Sequence, residues 1–280
     1  MKDKQIFCHS APLRRCCFSI VVLLVVEAAI GGHAIGQNTP APADSTSLPN
    51  APLPKSSDRA ITLRDLPRRV LQDQQAIWTS PLKLRARDLR WLVPLAAATG
   101  AAIATDHHTM NSVVSHDADF NQANVDASNV MVGGILIAPG ALYGIGLAKH
   151  DEHAREAGLL GGEAIADGVV VEQGMKLIFW RERPSQDNAR GLFFQGRSGI
   201  DSSFPSSHAV LDWSSAAVIA SEYPSRWTQL GVYSLATGIS LTRVMGQEHF
   251  PTDVLVGSAA GWLIGHYVYR AHHRHPRYNP

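Results

Sequence analysis

The sequence predicts an all-α protein, built as a bundle of about six core helices. Six long apolar runs, separated by polar or proline-bearing breaks, lie at residues 89–105, 130–148, 157–180, 208–223, 227–244 and 253–271. None of them alternates between apolar and polar residues for long enough to form a strand of a sheet. A shorter amphipathic segment, residues 66–78, precedes these runs and predicts one additional helix.

Each run is bounded by a recognisable signal. Pro184 follows Arg183, and a residue before proline is disfavoured in helical geometry, so we expect the helix over 157–180 to end there and to project the Arg183 guanidinium. Ser206 precedes the fourth run as an N-cap, and Pro251 suits the first turn of the last helix. Within that helix small residues recur at four-residue spacing, which predicts close packing against a neighbouring helix; they are Gly257, Gly261 and Gly265.

The first 36 residues are typical of an export signal. Basic residues, among them Arg14 and Arg15, precede an apolar run, and Ala34 and Gly36 offer small residues at a cleavage site. An uncleaved membrane anchor is the alternative, because the run approaches the ~20 residues that span a bilayer. Residues 37–60 are rich in Pro, Ala and Ser and predict an extended linker, so residues 61–280 form the predicted folded domain.

The export signal and a six-span membrane bundle exclude each other. Cleavage would place the N-terminus of the folded part outside the cytoplasm. Six spans would then leave the basic cluster near the first helix and the one after the last helix both outside, against the positive-inside rule. The run at 157–180 also holds charged residues that are costly in a bilayer, including Glu163 and Asp167. The interpretation favoured here is an exported periplasmic or envelope domain, soluble or associated with the membrane surface. The alternative is an integral inner-membrane protein with six helices.

Composition excludes several classes of function. The chain has 280 residues, 45% of them hydrophobic and 18% charged, with a formal net charge of +1. It has no basic field for a nucleic-acid partner. All three cysteines lie within the first 17 residues, so zinc–thiolate sites, disulfide scaffolds and cysteine nucleophiles are excluded from the folded part. Nothing in the sequence indicates an oligomeric state.

Three motifs carry the chemistry: KLIFWRERP at 176–184, PSSH at 205–208 and TRVMGQEHFPTD at 242–253. They combine fixed cations suited to a phosphate with two imidazoles and a carboxylate. Ser206 at a helix start adds a hydroxyl and free N–H groups. Asp253 is placed to hold the ring N–H of His249 and leave the other nitrogen free to attack.

The order and spacing of these motifs resemble the type 2 phosphatidic acid phosphatase superfamily, whose pattern is K-x6-RP, PSGH and SR-x5-H-x3-D. That superfamily includes lipid phosphatases, bacterial acid phosphatases and vanadium haloperoxidases. The resemblance implies an all-α bundle with the active site at one end, a phosphohistidine intermediate and no divalent metal or other cofactor. It implies a phosphorylated small molecule or phospholipid as substrate, with vanadate as an inhibitor.

The resemblance also implies a role for each matching residue. His249 is the nucleophile, Asp253 orients it, and His208 protonates the leaving alcohol. The phosphoryl oxygens are held by the remaining motif residues: Lys176, Arg183, Ser206, Ser207 and Arg243. Two positions depart from the pattern, because Ser207 replaces glycine and Thr242 replaces serine. A haloperoxidase that uses vanadate as cofactor and a non-catalytic envelope anion-binding protein remain the alternative functions.

Other residues have two interpretations. Lys176 could simply pair with Glu172, one helical turn earlier. Asp212, one turn after His208, is either a charge partner for an imidazolium or an ordinary polar neighbour. Two histidine clusters, His107–His108 and His272–His273, are expected to be solvated polar groups, because the sequence gives them no partner carboxylates. Three phenylalanines between the first two motifs either line a substrate pocket or seal the loop: Phe193, Phe194 and Phe204.

Overall fold

The structure is a computed structural model that describes residues 62–197 and 199–273. In these residues all regular secondary structure is helical. The α-helices are α1 (Leu66–Thr79), α2 (Leu89–Ser112), α3 (Ala118–Lys149), α4 (Glu152–Phe179), α5 (Ser207–Glu222), α6 (Arg226–Met245) and α7 (Pro251–His272). The prediction of an all-α bundle is therefore confirmed. The predicted export signal (1–36) and linker (37–60) lie outside the described residues.

Two helices begin earlier than their apolar runs. α3 begins at Ala118 rather than at residue 130, and α4 begins at Glu152 rather than at residue 157. In each case an aspartate is the N-cap: the Asp117 side chain accepts a hydrogen bond from the Phe120 N–H at 2.8 Å, and Asp151 accepts one from the Ala154 N–H at 3.1 Å. Polar first turns can extend a helix beyond its buried face once a cap satisfies the free N–H groups.

α4 ends before the proline that was predicted to end it. Its last helical residue is Phe179, and Trp180 adopts a left-handed conformation with φ of 39°. The helix thus ends well before Pro184, and the prediction that Pro184 ends it was wrong. The intervening residues form an extended segment that carries Arg183 away from the helix axis.

The core lies between α4, α5 and α7. Its buried residues are Leu160, Ala164, Val171, Val210, Val218, Ile264 and Val268. The glycine stripe of α7 faces α5, as predicted: a Cβ on Gly261 would lie 2.3 Å from the Val210 carbonyl oxygen, and one on Gly265 would lie 2.3 Å from that of Ser214. The two backbones approach so closely that no side chain fits between them at these positions.

The motif residues gather at one end of this bundle. The C-terminal turns of α4 and α6 reach the same end as the N-terminal turns of α5 and α7. The two N-termini contribute partial positive charge there, which favours an anion. The Ser206 N–H donates to the Asp253 carbonyl at 3.1 Å and fixes the start of α5 against the start of α7.

Among the described helices, α3 is long and apolar enough to cross a membrane by length and composition. The same property is found in core helices of soluble proteins, so it does not decide between the two predicted locations. Location in the envelope stays a prediction.

Candidate active site

His249 lies in the loop between α6 and α7 and is 2% exposed. Its Nδ1 lies 2.8 Å from the Ser203 carbonyl oxygen. A carbonyl oxygen can only accept a hydrogen bond, so Nδ1 carries the proton and Nε2 keeps its lone pair. Burial lowers the pKa of His249, although the neighbouring Asp253 carboxylate opposes that shift. The imidazole is therefore neutral near pH 7, the form that can act as a nucleophile.

Asp253 supports His249 electrostatically. Its Oδ2 is 3.7 Å from His249 Nδ1, beyond hydrogen-bond distance, so the Ser203 carbonyl holds the ring N–H that was predicted to bond to Asp253. Oδ2 instead accepts hydrogen bonds from the Ser203 hydroxyl at 2.6 Å and the Phe250 N–H at 2.8 Å. Burial alone would raise the pKa of Asp253, but the Arg181 guanidinium and these other partners lower it below its ordinary value. The carboxylate stays ionised beneath the imidazole.

Arg181 is a buried cation that the sequence analysis missed. Its Nη1 donates to Asp253 Oδ1 at 2.6 Å, and its Nη2 donates to Asp106 Oδ2 of α2 at 2.7 Å. The guanidinium lies over the rings of Phe193 and Phe250, 4.6 and 4.1 Å from their centroids. Arg181 therefore positions Asp253 and ties the site to α2. It lies two residues before Arg183 in the first motif, but its partners come from distant segments.

Lys176, in the last turn of α4, has three polar partners, one of which is the Ile200 carbonyl at 3.5 Å. Its Nζ donates to the Ser207 hydroxyl at 2.6 Å and lies 3.4 Å from Glu172 Oε2. Burial lowers the pKa of Lys176, and the Glu172 carboxylate opposes that shift. The predicted alternative, an ion pair with Glu172, thus exists together with the contact to the second motif. The Ser207 side chain joins both groups, because its hydroxyl also lies 3.2 Å from Glu172 Oε2.

Arg183 and Arg243 approach each other through one carboxylate. Glu248 Oε2 contacts Arg183 Nη1 and lies 3.3 Å from Arg243 Nη2. Arg243 is 5% exposed, and its Nη1 donates to the Ser128 hydroxyl of α3 at 2.9 Å. The carboxylate of Glu248 lies where two guanidinium groups would otherwise hold the oxygens of an anion.

His208 lies in the first turn of α5. Its Nε2 is 3.2 Å from the Oδ1 of Asn129 in α3. Asn129 Oδ1 also lies 3.5 Å from Arg243 Nη1, so this amide links the second histidine to the cation group. Burial is the main cause that lowers the pKa of His208 to about 3, and the fixed cations Arg243, Lys176 and Arg183 lower it further.

Ser206 is the N-cap of α5, as predicted, but its side chain does not cap the helix. The hydroxyl is fully buried and makes no hydrogen bond within the described residues. It therefore keeps its donor for a ligand at the helix N-terminus. The structure brings every predicted site residue to this end of the bundle.

The phenylalanines of the loop divide between the two predicted roles. Phe204 is buried, and its ring lies 5.1 Å from that of Phe179 and 5.4 Å from that of Phe193. These three rings seal the loop beneath Arg181. Phe194, in contrast, is 62% exposed, and the side chain of Ile200, whose carbonyl contacts Lys176 and Arg183, is also exposed.

Of the two histidine clusters, one fits its prediction and one does not. His107 Nδ1 bonds to the Ala189 carbonyl, and His108 is exposed. His272 and His273 instead face carboxylates from other helices, namely Asp73 and Glu163 for the former and Glu156 and Glu222 for the latter. The expectation that these two lack partner carboxylates was wrong, because the partners are distant in sequence.

The site thus combines a neutral imidazole of fixed tautomer, a supporting carboxylate, a second imidazole and three cations. These groups define a helical protein that can hold a tetrahedral oxyanion beside a nitrogen nucleophile. Residues 157–277 match the sequence model of the PAP2 superfamily.

The chain is also similar to one curated protein. Over 110 residues the chain is 33% identical to the lipid A 1-phosphatase of Porphyromonas gingivalis. The match covers 39% of this chain and 22% of that protein, so the chain spans about a fifth of the length of the relative. No solved structure gives a match.

Proposed function

We propose that this protein is a metal-independent phosphomonoesterase that works through a phosphohistidine at His249. The observation that supports this proposal best is the hydrogen bond from His249 Nδ1–H to the Ser203 carbonyl. That bond leaves the Nε2 lone pair free on the other side of the ring. The match of residues 157–277 to the PAP2 superfamily and the likeness to a lipid A 1-phosphatase support phosphate-ester hydrolysis.

In the proposed reaction, His249 Nε2 forms a bond to phosphorus as the bond to the ester oxygen breaks. Lys176, Arg183 and Arg243 stabilise the charge on the phosphoryl oxygens in the transition state. His208 gives its proton to the departing alcohol and then takes one from the water that hydrolyses the phosphohistidine. The products are the alcohol and inorganic phosphate, with both histidines restored.

The low pKa of His208 means that this histidine must gain a proton before it can act as the general acid in these steps. In the site without substrate, burial and then the surrounding cations disfavour an imidazolium. A bound phosphate dianion compensates their charge and raises the pKa of His208. Protonation of the general acid is therefore coupled to substrate binding.

The catalytic test compares leaving groups. His249→Ala should lower turnover of p-nitrophenyl phosphate by roughly 10⁴-fold or more, because it removes the nucleophile. His208→Ala should cost about 10²–10⁴-fold on an alkyl phosphate but much less on p-nitrophenyl phosphate, whose leaving group needs little protonation. The matched control is His108→Ala, which removes an exposed histidine of α2.

Base-quenched enzyme should contain one phosphohistidine in the wild type and none in His249→Ala. Near-normal turnover by His249→Ala would contradict the proposed mechanism.

We further propose that the substrate is a lipid phosphate. Three apolar side chains in and after the first motif are exposed: Trp180, Phe194 and Ile200. The Ile200 carbonyl lies 3.5 Å from both Lys176 Nζ and Arg183 Nη2, so this residue adjoins the site. Apolar side chains at the mouth of a phosphate site suit an ester that carries hydrocarbon chains.

Substituting Ile200→Ser should raise the KM for phosphatidic acid in mixed micelles several-fold, because it removes apolar contact with the chains. Its KM for p-nitrophenyl phosphate should stay unchanged. Leu82→Ser is the matched control, since Leu82 is 87% exposed and lies in the short helix Ser80–Lys83. Equal effects of Ile200→Ser on both substrates would argue against a lipid.

A further inference from the structure

A second group of titratable side chains lies far from His249. Asp73 of α1, Glu163 of α4 and His272 at the end of α7 bring their ligand atoms within 4.8 Å of one another, and His272 Nε2 lies 3.0 and 2.9 Å from the two Asp73 oxygens. We name these three residues the distal cluster. Glu163 precedes Lys176 by 13 residues on α4, which corresponds to about 20 Å along the helix. The distal cluster is therefore separate from the proposed active site.

The spacing of the distal cluster suits a metal ion. His272 Nε2 lies 2.9 Å from Asp73 Oδ2 and 3.7 Å from Glu163 Oε1. Two ligands bound to Zn²⁺ at about 2.1 Å in tetrahedral geometry lie about 3.4 Å apart. The two observed distances lie on either side of that value, so small side-chain shifts would complete the coordination.

Side chains outside the distal cluster hold one oxygen of each carboxylate. The Tyr267 hydroxyl donates to Asp73 Oδ1 at 3.0 Å, and Arg69 Nη2 lies 2.6 Å from Glu163 Oε2. The other Glu163 oxygen, Oε1, is buried and makes no hydrogen bond within the described residues. Outer partners that orient the ligand atoms are typical of metal sites.

The charges around the distal cluster also favour a cation. A third carboxylate, Asp167, lies one turn along α4, is fully buried, and its Oδ2 makes no hydrogen bond within the described residues. Among the described residues, the fixed cation paired with this group is Arg69, which contacts Glu163. A bound divalent ion would favour the ionised form of the buried carboxylates, which burial opposes.

We propose that Asp73, Glu163 and His272 bind a divalent transition-metal ion, with Zn²⁺ as the best match to one imidazole and two carboxylates. The ion would join α1 to α4 and α7, because each helix supplies one ligand. Its role is structural: it fastens the amphipathic α1 to the bundle. The site does not take part in the proposed hydrolysis, so either proposal can fail without the other.

The test measures metal binding by the untagged full chain, stripped of metal and dialysed against Zn²⁺. One Zn²⁺ per chain should bind, and His272→Ala should weaken that binding by more than about 100-fold. Tyr267→Phe keeps the fold and removes an outer partner, so it should weaken binding by about tenfold. Co²⁺ in place of Zn²⁺ should give a visible absorption band that His272→Ala lacks.

The matched control is His273→Ala, because His273 is adjacent but faces Glu156 and Glu222. Zn²⁺ should also slow proteolysis within α1 in the wild type and in His273→Ala, but not in His272→Ala. Failure of the wild type to bind Zn²⁺ would overturn the proposal. So would Zn²⁺ binding that survives in both His272→Ala and Tyr267→Phe, or that is lost in His273→Ala instead.

Discussion

Glu248 competes with the substrate for the arginines of the site. Its carboxylate contacts both Arg183 and Arg243, which are the groups that we expect to hold the phosphoryl oxygens. A phosphate must displace this carboxylate before it can bind to both guanidinium groups. Glu248 is one-third exposed, so it can turn out toward solvent when the substrate enters.

Replacing Glu248 with glutamine should therefore strengthen the binding of orthovanadate, a mimic of the phosphoryl transition state. Loss of one competing charge-assisted hydrogen bond, about 1.5 kcal/mol, corresponds to roughly tenfold tighter inhibition. The inhibition constant against p-nitrophenyl phosphate measures this directly. Glu182→Gln is the matched control, because the Glu182 carboxylate accepts from the Leu192 N–H instead. Unchanged or weaker inhibition of Glu248→Gln would show that Glu248 supports the arginines rather than competing for them.

Site residues could be predicted from the sequence where they belong to a short motif. The motifs identified both imidazoles, the cations and Asp253. They could not identify Ser203, whose backbone carbonyl holds His249, because any residue supplies a carbonyl. They also missed Asn129 and Asp106, which come from α3 and α2 and reach the site only after the bundle has packed. Those contacts depend on tertiary structure, and one sequence does not encode them locally.

At the scale of elements, apolar periodicity located the helices and most of their ends, but it misplaced the starts of α3 and α4. The buried stripes of α5 and α7 fill most of their length, so their predicted bounds lie within two residues of the observed ones. The first turns of α3 and α4 are polar and depend on the caps Asp117 and Asp151 instead. A search for caps before each apolar run would have found both helix starts.

The end of α4 shows the opposite case, in which a strong local signal gave the wrong end. Pro184 does restrict Arg183, but the chain had already left the helix at Trp180. The extended segment is held by tertiary contacts: the Ser203 N–H donates to the Arg181 carbonyl, and the Gly196 N–H donates to that of Trp180. Early termination places Arg181 under His249 and Arg183 beside Glu248, and a longer helix would separate them.

At the scale of the whole molecule, buried carboxylates make the stability depend on pH. Asp212 of α5 is fully buried, and neither of its oxygens makes a hydrogen bond within the described residues. Burial raises the pKa of Asp212 to about 8, and the Arg243 charge opposes this only in part. The side chain is therefore neutral at pH 7, so it is not the charge partner for the His208 imidazolium that the sequence had left open.

The sign of the effect follows from proton binding. Between its ordinary pKa of 3.8 and about 8, the folded protein holds a proton on Asp212 that the unfolded chain has lost. The contribution of Asp212 to the free energy of unfolding thus falls as pH rises through that window, by at most about 1.4 kcal/mol per pH unit. A side-chain amide cannot ionise, so the variant Asp212→Asn should show no such fall. Its free energy of unfolding relative to the wild type should increase steadily from pH 4 to pH 8.

Urea unfolding at each pH measures the difference, and Asp126→Asn, an exposed carboxylate of α3, is the matched control that should give a flat difference. The comparison isolates one group because every other titrating residue is common to both proteins. A difference that stays constant across the window would mean that Asp212 is ionised in the folded state and has found a partner. In that case the interior around α5 would be more polar than its burial indicates, and the neutral Asp212 argued here would be wrong.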